Sequence, residues 1–117
     1  MKESPIFVKA FDLLVWTLER TRKFPKDQRF VMARRLEEAM LDLYDRLIEA
    51  GRVKAHRAMA LGEADLTLER LKVYGRLCER LRLITPAQYE FLSTGLGEVG
   101  RLLGAWMKTA STGAVGS

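Results

Sequence analysis

Arg20-Thr-Arg-Lys-Phe-Pro-Lys-Asp-Gln-Arg-Phe30 is the stretch on which the fold turns. It closes one amphipathic run, opens the next, and packs five cations into eleven residues. Pro25 disfavours the helical conformation at Phe24, so a first helix should stop near Lys23. Pro25 itself suits the first position of a new helix, where its missing N–H is no loss. Asp27 then falls in the first turn, where the helix dipole favours a carboxylate. A connection this short sends the two helices antiparallel. Phe24 and Phe30 are placed to close that end of a bundle over its core. The cations cannot be buried unpaired, so they ring the same end.

On the N-terminal side, Ile6 to Lys23 reads as the first helix. Phe7, Phe11, Leu14, Leu18 and Thr21 follow the 4,3 spacing of a core stripe, which Ile6, Ala10 and Leu13 widen. Between residues 6 and 18 only Lys9, Asp12 and Thr17 are not apolar. A helix apolar around most of its circumference needs cover on more than one side, which points to a subunit interface. Trp16 aligns with Lys9, Asp12, Glu19 and Lys23 on the polar face. It is either the edge of its own bundle or a residue for an interface or for base stacking.

On the C-terminal side, Gln28 to Ala50 reads as the second helix, striped by Ala33, Leu36, Met40, Leu43 and Leu47, with Gly51 as its cap. After a turn at Arg52–Lys54 a third helix runs to Leu83, carrying Leu61, Ala64, Leu68, Leu71, Gly75 and Cys78 on its core face. Gly75 there permits close helix approach. Thr85-Pro86 is a helix start, a hydroxyl cap followed by proline. The fourth helix runs to about Lys108 on Tyr89, Leu92, Leu96, Val99, Leu103 and Trp106. Gly97, Gly100 and Gly104 lie along it and lower its propensity, which tight packing against a neighbour would offset. Residues 109–117 read as a flexible tail. The expectation is an all-α, antiparallel up-down-up-down four-helix bundle over residues 1–108.

A length of 117 residues suits one domain with a self-sufficient core. The single cysteine, Cys78, excludes an intrachain disulfide and, on the core stripe, reads as an inert buried thiol. No apolar run approaches the roughly 20 residues of a spanning helix, and no cleavage pattern follows residues 6–18. The reading is a cytoplasmic chain with no membrane partner. His56, the only histidine, sits among Arg52, Lys54 and Arg57 with no carboxylate or thiol cluster. A Glu-x-x-His metal motif and a Gly-Lys phosphate loop are missing. The sequence therefore offers no catalytic residue, no metal ligand set and no cofactor site.

The net charge is +5 and the pI about 9.7. The topology sorts that charge. Residues 19–30 carry five bases and two acids, and Arg76, Arg80 and Arg82 against Glu79 and Glu90 join them at the same end. The opposite end is also net basic and the middle segments net acidic. Basic ends without a groove-reading motif suit phosphate backbones, RNA or DNA, with little sequence preference. The candidate nucleic-acid contacts are Arg22, Lys23, Lys26, Arg29, Arg76, Arg80 and Arg82, with Lys54 and Arg57 as a second set at the far end.

Two stretches carry a resemblance: Leu13-Leu-Val-Trp16 with Lys23-Phe-Pro-Lys-Asp-Gln-Arg-Phe30, and Thr85-Pro-Ala-Gln-Tyr89 through Leu96-Gly-Glu-Val-Gly-Arg-Leu-Leu-Gly-Ala-Trp-Met-Lys108. Over residues 6–108 the chain resembles the accessory variability determinant proteins of diversity-generating retroelements. A wider group of small four-helix-bundle proteins, including those encoded by ribosomal RNA intervening sequences, shares the Phe-Pro-Lys turn and the Glu-Val-Gly-Arg segment. That group usually carries Ser, Pro and Asn-Ile-Ala-Glu-Gly in helix two, where this chain has Arg34-Arg-Leu-Glu-Glu-Ala-Met-Leu-Asp-Leu-Tyr44. The resemblance implies a homopentameric barrel with a basic surface. It further implies a non-catalytic role, binding the retroelement reverse transcriptase and nucleic acid in mutagenic cDNA synthesis. The alternative is a stand-alone oligomeric scaffold with no nucleic-acid role.

Overall fold

A computed structural model describes residues 4–116, without the side chains at 28–30 and 112–116. Helix α1 spans Pro5–Thr21. Ser4 precedes it in an extended conformation, its carbonyl accepting from the N–H groups of Phe7 and Val8, and Pro5 takes the first position. The chain leaves α1 two residues earlier than the expected Lys23, through a tight turn with Lys23 N donating to Arg20 O (3.0 Å) and Phe24 N to Thr21 O (3.1 Å). Phe24 folds inward, 3% exposed, and closes this end of the core as expected; the side chain of Phe30 lies outside the described residues.

A helical turn at Lys26–Gln28 passes through a π-helical segment, Arg29–Ala33, into α2, Arg34–Arg52. The wider i→i+5 turn re-phases the helix between the buried Met32 and Ala33 and the buried Leu36. Gly51 does not cap α2. It lies inside the helix, and no described glycine has a positive φ. The exit comes at Val53, whose φ of −117° and ψ of 96° are extended. Nor does packing demand glycine there: a Cβ would sit in ordinary van der Waals contact, 3.5 Å from Phe7 Cζ and 3.8 Å from Trp106 Cη2.

A short 3-10 turn, Lys54–His56, leads into α3, Arg57–Arg80. The sequence pattern runs α3 on to Leu83, but the helix stops at Arg80. Arg82 turns left-handed at φ 61°, Leu83 N donates to Cys78 O (2.8 Å) and Arg82 N to Glu79 O (3.0 Å). This is a Schellman ending with arginine where glycine is usual. Helix α4 begins at Pro86 behind the expected Thr85 cap. Thr85 Oγ1 accepts from Gln88 N (3.1 Å) and Gln88 Oε1 accepts from Thr85 N (2.9 Å), a reciprocal capping box. The helix does not end at Lys108. It continues through Thr109 and Ala110, which packs on the core, to Gly116, so helical backbone replaces the tail expected from residue 109.

The four long helices run up-down-up-down, and no strand occurs among the described residues. α1 packs on α2 and α4, and α3 packs on the same two, so α1 and α3 occupy opposite corners. The centre is aliphatic, with Leu43, Leu47, Leu71, Leu92, Val99 and Leu103 fully buried. Burying such side chains stabilises by roughly 1.5–3 kcal/mol each. Gly75 meets its expectation: a Cβ there would stand 3.0 Å from Leu92 Cδ2. Gly97 and Gly104 do not, since nothing inside the protomer lies within 4 Å of a Cβ at either.

Candidate nucleic-acid interface

The antiparallel topology brings the turn after α1 and the turn after α3 to one end of the bundle. Arg22, Lys23 and Lys26 come from the first; Arg76, Arg80 and Arg82 come from the last turns of α3 and its exit. All six side chains are exposed. The side chain of Arg29 lies outside the described residues. Lys23, Lys26, Arg76, Arg80 and Arg82 have no carboxylate partner among the described residues. By contrast the middle of the bundle pairs its charges: Arg46 with Glu63 (3.2 Å), Arg34 with Glu38 (3.7 Å), Arg70 with Asp42 (3.7 Å). Five exposed cations without a carboxylate partner among the described residues thus stand at this end, available to phosphate oxygens.

The sequence-predicted second set divides on inspection. Lys54 is exposed, but Arg57 is half-buried and its Nε donates to Ala50 O at 2.7 Å, satisfying a carbonyl at the end of α2. Its neighbour His56 faces Glu49, Nδ1 to Oε2 2.9 Å.

Trp16 resolves as a residue of the bundle's own edge. Its ring stacks on Phe91 of α4 with centroids 5.2 Å apart and planes 26° from parallel, and the Arg20 guanidinium lies 5.8 Å from it on the same helix. The sequence reading missed Phe91, which falls off the α4 core stripe and is 51% exposed. An aromatic one position before Leu92 was the available signal.

Cys78 is fully buried, and burial pushes its thiol up to about 11, away from nucleophilic chemistry. Among the described residues no group of three His, Cys, Asp or Glu side chains converges to hold a metal ion. None of the described helices is long and apolar enough to cross a membrane.

The model of the bAvd-like family matches residues 6–110. The chain belongs to that family. The match covers all four helices and stops at Ala110, the last α4 residue packed on the core among those whose side chains are described. This bAvd-like chain is also similar in fold to a crystal structure from Bacteroides thetaiotaomicron, a protein of unknown function from the S23 ribosomal protein family. Identity is 21%, the TM-score is 0.79, and the alignment covers 88% of this chain and 95% of the other. No curated protein matches it.

Proposed function

We propose that this bAvd-like chain is a non-catalytic accessory subunit of a diversity-generating retroelement, a cytoplasmic homopentamer that binds the element's reverse transcriptase and its template RNA or cDNA. The observation that carries the nucleic-acid reading is the set of exposed, unpaired cations at the turn end, headed by Lys23, Lys26 and Arg82. Their positions need no core role, and ordered copies side by side would multiply them into one basic surface.

Assembly is supported separately. Phe11, expected on the core stripe, is 51% exposed and forms an outward stripe on α1 with Val8 and Val15, and Met59 (72%), Leu66, Val73 and Leu77 form another on α3. Scattered apolar residues are normal on surfaces, but aligned stripes on two helices mark contact faces. Gly62 lies beside the α3 stripe, and like Gly97 and Gly104 it has open space where a Cβ would stand. Each lowers helix propensity by about 1 kcal/mol with no packing gain inside one copy, which a neighbouring copy would supply.

Replacing Lys23, Lys26 and Arg29 together by Gln tests the phosphate surface. Binding to single-stranded RNA should weaken, and the slope of log affinity against log salt should flatten by about two to three units. The helical circular dichroism signal and the oligomer mass should hold. An unaltered slope overturns this surface. Co-purification with the reverse transcriptase of the same element tests the partner, and failure with intact nucleic-acid binding overturns that part. An assembled protein that binds no RNA or DNA leaves the scaffold reading in its place.

A further inference from the structure

Between α1 and α4, beside the turn end, lies an open groove of about 500 Å³. Its floor is Leu13 against Gly95, and one wall is the exposed face of Phe91, whose other face is backed by Trp16. Its rim is acidic. Asp12 and Glu90 have no cation partner among the described residues, and Glu98 holds the single basic lining residue, Lys9, at 2.8 Å. An apolar trough edged by carboxylates repels phosphate and attracts an apolar surface flanked by cations.

The chain itself carries such a surface. On the last turns of α3, Val73, Leu77 and Leu81 are exposed at a spacing of four, so they form one ridge. Arg76 and Arg80 lie along it, both exposed and without a carboxylate partner among the described residues, with Glu79 beside them, so the surface is net basic. The levels also agree. At 1.5 Å per residue the ridge extends about 12 Å from the end of α3, and the groove residues Glu90 to Glu98 lie about 7–20 Å from the start of α4, which leaves from the same end. Parallel copies placed side by side bring the two to overlapping heights. Ridge and groove belong to different faces, because α1 and α3 stand at opposite corners. Ridge cannot meet ridge, since arginines would face arginines, and groove cannot meet groove. A contact that joins different faces repeats in one sense from copy to copy and closes as a ring when the rotation permits.

We infer that the α1–α4 groove of one copy receives the Val73–Leu77–Leu81 ridge of a second copy, with Arg76 and Arg80 meeting the carboxylates of Asp12 and Glu90. The inference rests on the assembly reading above and assigns its surfaces. It also takes Arg76 and Arg80 out of the phosphate surface and leaves Lys23, Lys26 and Arg82 to it.

The test is a charge swap followed by light scattering and sedimentation across a concentration series of the full chain. Arg76→Glu with Arg80→Glu, or Asp12→Arg with Glu90→Arg, should each raise the concentration at which copies dissociate by at least about tenfold. The four substitutions together restore opposite charges at every contact and should recover most of that loss. All four positions are exposed, and the circular dichroism melt of each variant reports folding; Arg76→Gln with Arg80→Gln supplies a milder variant. A wild-type chain that runs at the 13.3 kDa of one copy overturns the assembly reading itself. A wild-type oligomer whose reversed variants stay assembled as tightly overturns this docking. Reversed variants that dissociate, with no recovery in the combined chain, overturn the pairing of these two surfaces.

Discussion

Replacing Gly95 and Gly104 by alanine, one at a time, sets two glycines of the same helix against each other. In a helix interior alanine is favoured over glycine by about 1 kcal/mol. At Gly104, exposed and with nothing within 4 Å of the added Cβ inside one copy, that gain should appear almost whole in the dissociated protomer. At Gly95 the added Cβ would fall 2.6 Å from Leu13 Cδ2, with Cδ1 at 3.1 Å and Cγ at 3.2 Å. Leu13 is buried in the α1 core stripe, so it must leave a packed rotamer or push α1 away from α4. Overpacking of this kind costs roughly 1–3 kcal/mol. Set against the propensity gain, Gly95→Ala should be destabilising by up to about 2 kcal/mol. The two variants should then differ by roughly 1–3 kcal/mol, or on the order of 4–12 °C in melting temperature for a domain of this size. Urea denaturation followed by far-UV circular dichroism measures the difference, at one fixed chain concentration because assembly adds its own stability. A Gly95→Ala protein as stable as Gly104→Ala refutes the close approach of α1 and α4. A Gly104→Ala protein that loses stability, more so as concentration rises, means that another copy covers that face.

Arg82→Gly should stabilise by about 1 kcal/mol, read in the same denaturation assay, because glycine removes the left-handed penalty at φ 61°; Arg82→Ala should give no such gain. Cys78 should label slowly with a thiol reagent in the folded protein and quickly in denaturant, since its buried thiol is raised to about 11. The Glu98 carboxyl is held below its ordinary value, first by its hydrogen bond to Lys9. A depressed folded value gives stability that is present above the unfolded value and lost as pH falls through the folded one. Lys9→Met should therefore lower the melting temperature at neutral pH, and the deficit should vanish in acid below the carboxylate range.

The helix starts were legible because local chemistry fixes them. Pro25 stands just before the helical turn that opens at Lys26, and Thr85-Pro86-Ala-Gln88 writes a capping box in four residues. The ends were harder. α3 stops on a left-handed arginine, and Leu81-Arg-Leu-Ile84 holds neither the glycine nor the asparagine that normally signals such a stop. Gly51 gives the opposite error, because a glycine near a helix end looks the same whether it turns the chain or continues the helix, as it does here. The C-terminal extension of α4 went unread because Thr109, Ser111 and Thr112 resemble linker composition. At the site, the cations were legible as a cluster because a short turn must leave them outside. Arg57's bond to Ala50 O and Trp16's stacking on Phe91 were not, since each depends on how neighbouring elements sit and no spacing rule along one helix encodes that.

The proposed assembly and the proposed ligand are thermodynamically coupled. If copies stand side by side with their turn ends level, Lys23, Lys26 and Arg82 of every copy are drawn toward like charges on its neighbours. That repulsion opposes assembly, and the apolar surfaces buried between copies, the α3 ridge among them, must outweigh it. A polyanion laid across the turn end removes the repulsion only in the assembled form, so it binds that form more tightly than a lone protomer. Reciprocity then requires RNA to strengthen assembly by the same factor as assembly strengthens RNA binding. Sedimentation of the chain below its dissociation concentration, with and without a single-stranded RNA long enough to span several copies, measures the factor. RNA should pull protomers into the full-sized oligomer, and the Lys23, Lys26 and Arg29 to Gln variant should assemble more readily without RNA yet respond less to it. If RNA leaves the protomer fraction unchanged while binding it, the turn-end cations do not lie together in the assembled protein, and the level, side-by-side arrangement is wrong.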